Sequence, residues 1–210
     1  MDKNLEILKN LSLERLEESF KSISESPNKE DEQGKKRRES YKNAYPFFVQ
    51  YFAGVEEITI DNLVIAAHFV YGWMPTILTF EFAHIDKVLE SLNKVKRGNL
   101  LNSSEIVEIK ACVNNSLVGT SKLLHFINPD KYAIWDSNIY AYLKETKKHY
   151  GVDNVDLYLG YLKKLGEITN EDKFKDFHNA INSKVKYNVT PMRAIEYVMF
   201  HAHPKSESTE

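Results

Sequence analysis

Lys122 and Asp136 are the residues of this 210-residue chain whose types and spacing best support chemistry. Lys122 follows Gly119-Thr120-Ser121 and precedes Leu123-Leu124. A helix opening after that glycine, capped by Thr120 or Ser121, places the lysine near its positive end. The field and the apolar neighbours then favour the free amine over the ammonium. A free amine attacks carbon and forms a Schiff base. The plainer alternative is a lysine whose stem lies along an amphipathic helix with its amine in water. Asp136 is delivered by the apolar run Tyr132-Ala133-Ile134-Trp135 to the start of a helix from Ser137. Capping is the usual role of an aspartate there. An ionised carboxylate in that position also orients a nucleophile or steadies a developing cation. The link between the two helices, Asn128–Ile134, is short enough for both side chains to face one pocket.

The elements that must position this pair are helical throughout. Residues 3–25 carry Leu5, Leu8, Leu11, Leu16, Phe20 and Ile23, an amphipathic stripe that splits in two if Ser12 is an N-cap. Residues 24–39 hold Pro27, Gly34, the run Lys35-Lys36-Arg37-Arg38 and no large apolar side chain, which predicts a flexible charged loop or a phosphate-contacting arm. From residue 40 the chain turns dense and aromatic, with Pro46 in a first turn and Gly54 as a stop. Asp61 is expected to cap 62–71, followed by helices over 76–96 and 104–114, the latter opened by Asn102 with Glu105 three residues on. Beyond the central stretch, helices are expected over 137–149, from Asp153 to about Gly166, from Asn170 through Ser183, and from Thr190-Pro191 to His201. Strand signals are nearly absent. The expectation is an all-α fold of about nine or ten helices with a helix-hairpin-helix-like centre. Its parts are an amino-terminal helix and loop (1–39), one helical domain (40–204) and a disordered tail (205–210).

Composition narrows the function classes. Hydrophobic residues make up 42% of the chain, enough for a substantial core, and the formal charge of −2 predicts no global basic field. Cys112 alone permits no internal disulfide or cysteine zinc site and suits a reducing cytoplasm. No apolar run reaches membrane-spanning length, and Met1-Asp2-Lys3-Asn4-Leu5 lacks a signal-peptide profile. Neither a phosphate-loop lysine motif nor a dinucleotide fingerprint is present, and the histidines form no metal signature. No cofactor or metal is therefore expected.

Leu117-Val118-Gly119-Thr120, Lys122 at a helix start and Asp136 opening the next helix together resemble the helix-hairpin-helix DNA glycosylase superfamily, most of all its 8-oxoguanine glycosylase branch. The likeness is close over about 116–140. One glycine stands where the family usually shows two, and the interval from lysine to aspartate is shorter than usual. The resemblance implies DNA as partner and base-excision repair of damaged bases, oxidised purines among them, with glycosylase and abasic-site lyase activity. It further implies that Val118, Gly119 and Thr120 hold a DNA phosphate, that Lys122 is the nucleophile, and that Asp136 is its carboxylate. A flipped base needs aromatic or apolar walls, for which Trp73, His125 and Trp135 are the expected residues. Core packing is the plainer role for each, since aromatics at helical spacing usually fill interiors. The alternative function is a non-catalytic protein of the same fold that binds nucleic acid or a protein partner.

Overall fold

A computed structural model describes residues 5–25, 32–74, 76–146, 151–185 and 187–202. Among them are ten α-helices and no strand, beyond one isolated bridge between Phe80 and Val113, so the fold is all-α as expected. The chain divides into two compact units, Met1–Ser26 with Ala133–Glu210, and Pro27–Tyr132. The boundary between the units falls after Tyr132, inside the 40–204 range read from the sequence as one helical domain. Ala133, inside the link expected to carry lysine and aspartate to one pocket, opens the second segment of the first unit.

In the unit formed by both ends of the chain, a 3-10 turn (Leu5–Leu8) precedes α1 (Leu13–Glu25), and α7 (Ser137–Lys144), α8 (Val155–Thr169), α9 (Phe174–Val185) and α10 (Pro191–Ala202) follow. Helix α10 packs against α1, α7, α8 and α9. It starts where the sequence predicts, with the Thr190 hydroxyl accepting the Arg193 amide and Pro191 in the first turn. Ser12 caps α1 in the same manner. Arg15 then joins α1 to α7: it donates to the Tyr142 carbonyl at 2.7 Å, lies 4.4 Å from the Tyr142 ring centroid and pairs with Glu145.

The other unit holds α2 (Glu32–Ala53), α3 (Ile60–Trp73), α4 (Ile85–Lys96), α5 (Ser103–Cys112) and α6 (Leu117–Ile127). Helix α6 packs against the other four. Every residue of α6 is buried except Val118 and Lys122, which are half-buried. Four residues apart, these two lie on one side of the helix, its single edge toward solvent.

Several expectations are corrected. Residues 32–39 are not a loop but the first turns of α2, since Glu, Gln, Lys and Arg are good helix formers that need no apolar neighbours; residues 26–31 lie outside the described ones. Pro46 sits inside α2 rather than opening it, on the exposed side where water can reach the freed Lys42 carbonyl. Thr59, in a reciprocal box with Asn62, caps α3 in place of Asp61. The expected 76–96 helix begins only at Ile85. Asn114 captures the preceding segment, its side chain bonding the Ile77 carbonyl and the Thr79 amide. Helix α7 ends at Lys144, where Glu145 adopts a positive φ of 51°. Asn154 rather than Asp153 caps α8, which runs through Gly166 to Thr169.

The largest revision concerns the centre. Helices α5 and α6 do form a hairpin, but its turn is Asn114-Asn115, both at positive φ, which asparagine tolerates. Val118, Gly119 and Thr120 lie inside α6, whose N-cap is Ser116. Gly119 is needed for close approach: a Cβ there would fall 2.7 Å from Cζ of Tyr71 and nearer still to its hydroxyl. That hydroxyl donates to the Val113 carbonyl at 2.8 Å, so the ring cannot swing away without breaking a buried bond.

Gly119→Ala should therefore lower stability by about 1–3 kcal/mol through overpacking. Gly166→Ala, with nothing within 4 Å of the added methyl, should raise it by about 0.5–1 kcal/mol. Urea denaturation of the two variants checks both signs.

Candidate functional site

The amine of Lys122 lies 5.6 Å from the centroid of the Trp73 ring, within cation–π range. Trp73 is the last residue of α3, and its indole meets Tyr41 at 5.5 Å and Phe126 at 5.4 Å between ring centres. Phe48 approaches from α2 at 6.3 Å. Lys122 and Phe126 are one turn apart on α6, so the helix presents a cation and a ring to the same indole. The Trp73 indole nitrogen is shielded from solvent and has no hydrogen-bond partner among the described residues. A desolvated, unbonded N–H costs about 1–3 kcal/mol, and such a group calls for an explanation.

The sequence reading missed Tyr41, Phe48 and Phe126 as surroundings of this lysine. For Tyr41 and Phe48 the signal is the stripe Tyr41, Tyr45, Phe48 and Phe52, at the 3–4 residue spacing of one helix face; for Phe126 it is the four-residue spacing from Lys122.

His125 is not a pocket wall. It is fully buried, and its Nδ1 lies 2.7 Å from the Tyr132 carbonyl while its Nε2 lies 2.8 Å from the Tyr45 hydroxyl. A carbonyl only accepts, so Nδ1 carries the proton and Nε2 accepts from the tyrosine. Both ring nitrogens are committed within the unit, which leaves none for a base. Burial also pushes the Tyr132 hydroxyl up to about 12; it donates to the Asn99 carbonyl and accepts the Leu101 amide.

Trp135 is likewise core. It is fully buried among Tyr140, Tyr158 and Tyr161, and its indole N–H donates to the Val152 carbonyl at 2.6 Å. Of the three expected aromatic walls, only Trp73 stands beside the lysine.

Asp136 caps α7 as expected, one carboxylate oxygen accepting the amides of Asn138 at 2.9 Å and Ile139 at 3.0 Å. It is half-buried and belongs to the unit that does not contain Lys122. Tyr161, fully buried in the same unit, has its hydroxyl pushed well above the usual range, chiefly by burial and then by the charge of Glu196. Glu196 pairs with Arg193 one turn earlier on α10.

Of the phosphate grip expected at Val118, Gly119 and Thr120, the amides of the last two are already engaged within the helix. The Gly119 amide donates to the Ser116 hydroxyl and the Thr120 amide to the Ser116 carbonyl. Both residues are buried within the helix, so these donors serve its first turn. Ser116 as N-cap also sets Lys122 beyond the first turn, where the field of the helix end has largely fallen off.

Among the described residues, no group of three His, Cys, Asp or Glu could hold a metal, and no helix is long and apolar enough to cross a membrane. Comparison of the sequence with protein-family models, with curated proteins and with solved structures finds no match.

Tyr45→Phe should leave the Nε2 acceptor of His125 buried without a donor and lower stability by about 1–3 kcal/mol. Nitrogen-detected NMR of the unaltered chain should find His125 as the Nδ1-protonated tautomer. Protonation at Nε2 alone would contradict the assignment.

Proposed function

We propose that the chain is a DNA glycosylase-like repair protein in which the Lys122 amine attacks the sugar of a damaged nucleotide. The single observation carrying this reading is the half-buried Lys122 on the solvent edge of α6, its amine set over the Trp73 ring. The likeness over 116–140 supplies the reaction class; the lysine and indole supply a nucleophile beside a surface on which an extruded base can stack.

The chemistry needs no group from outside the chain. The amine nitrogen bonds to C1′ as the glycosidic bond breaks, and the base leaves with the bonding pair and takes a proton. Loss of the remaining amine proton, with ring opening and protonation at O4′, yields an imine. At an abasic site the amine condenses directly with the sugar aldehyde and releases water. In either route the lysine must reach the sugar unprotonated, so trapping should rise with pH until the amine has shed its proton.

A second reading, a non-catalytic helical protein that binds nucleic acid or a partner, is favoured by the Gly119 and Thr120 amides being spent inside α6.

Borohydride trapping distinguishes the two. Incubated with duplex DNA carrying an abasic site or 8-oxoguanine, the chain should form a covalent adduct that Lys122→Gln lowers to background. Trp73→Ala should lower it about fivefold or more, in line with the roughly 1–3 kcal/mol of one stacked base. An adduct undiminished in Lys122→Gln, or none on any lesion, would overturn the enzyme and leave the binding protein.

A further inference from the structure

We propose that the outward stripe on the first half of α2 docks single-stranded nucleic acid, with Lys36 on the phosphates and Phe47 stacked on an unpaired base. Helix α2 has two unlike faces. Tyr45 and Phe52 are buried, and Tyr41 and Phe48 touch Trp73. Lys36, Ser40, Asn43 and Phe47, spaced four, three and four residues apart, all lie on the other, outward side. With Glu39 and Ala44 they line an open depression of about 680 Å³.

Three features of the first half of α2 point to one occupant. Phe47 is 69% exposed, and no ring contact to it is formed among the described residues. Residues 32–47 carry Lys35, Lys36, Arg37, Arg38 and Lys42 against Glu32 and Glu39, five minus two or +3, in a chain of net −2. Glu39 is paired with Lys42 at 3.7 Å, so its charge is already opposed within the helix. Ser40 and Asn43, between the cation and the ring, add hydrogen-bonding groups.

A cation two turns or more along a helix face from an exposed aromatic ring suits a single strand: phosphate meets the charge and a base stacks on the ring without sequence preference. A duplex would engage the cations but keep its bases from Phe47. A protein partner would cover Phe47 but show no slope of about −0.7 per phosphate in log affinity against log salt. The proposal does not depend on the Lys122 chemistry, since the stripe contains no residue assigned to it.

Fluorescence anisotropy of the full chain with a labelled oligothymidine of about 12 nucleotides tests it, beside the matching duplex, from ~50 to ~200 mM salt. The single strand should bind more tightly than the duplex. Phe47→Ala should weaken it about fivefold or more with the salt slope unchanged. Lys36→Glu should weaken it and reduce the slope by about 0.7 for each phosphate no longer neutralised. Lys122→Gln should bind like the parent, so a failed trapping experiment leaves this one readable. Circular dichroism melts of the exposed-residue variants establish that they fold. The proposal is overturned if neither oligonucleotide binds, if both variants bind like the parent, or if the duplex binds equally well without dependence on Phe47.

Discussion

The imidazole of His125, fully buried between the Tyr45 hydroxyl and the Tyr132 carbonyl, is the group on which the Pro27–Tyr132 unit turns. It ties α6 to α2 on one side and to the end of the unit on the other. A helix buried around nearly its whole circumference could settle in several rotations if packing alone held it. Two directed hydrogen bonds to a ring stripped of its water select one. The Gly119–Tyr71 approach fixes the same rotation from the opposite end, because the missing side chain leaves room for the tyrosine on one side of α6 only.

That rotation places the candidate chemistry. With His125 and Phe126 turned inward, Val118 and Lys122 are the residues left at the solvent edge. Lys122 then meets Trp73, which α3 carries to its carboxyl end. The cation–π contact stabilises the amine's position by about 0.5–1 kcal/mol at an exposed site, enough to orient a flexible side chain but not to lock it. A nucleophile that must move onto a sugar carbon is suited by such a restraint. The Arg193–Glu196 pair within α10 and the tyrosines packed around Trp135 belong to the other unit.

What could be read in advance follows from the range of each interaction. Ser12, the Asn102–Glu105 box, Asp136 and Thr190-Pro191 were legible because a cap is settled within three or four residues of sequence. The all-helical class was legible from periodicity for the same reason. Gly119 was misread because a turn glycine and a close-approach glycine look alike until the partner is known, and Tyr71 comes from another helix. The extended run before α4 depends on Asn114, which lies far along the chain. Lys35–Arg38 read as a loop because charge signals solvent exposure, yet lysine and arginine also favour helix. Trp135 and His125 were placed on a pocket wall because residue type does not tell a satisfied interior group from a wetted one. Only the Val152, Tyr45 and Tyr132 partners do.

Peptide mapping by mass spectrometry, after borohydride reduction of the chain on abasic-site DNA, tests the central claim most directly. The account predicts one sugar-derived mark, on the α6 peptide at Lys122. Marks scattered over surface lysines, or concentrated on Lys36, would contradict it.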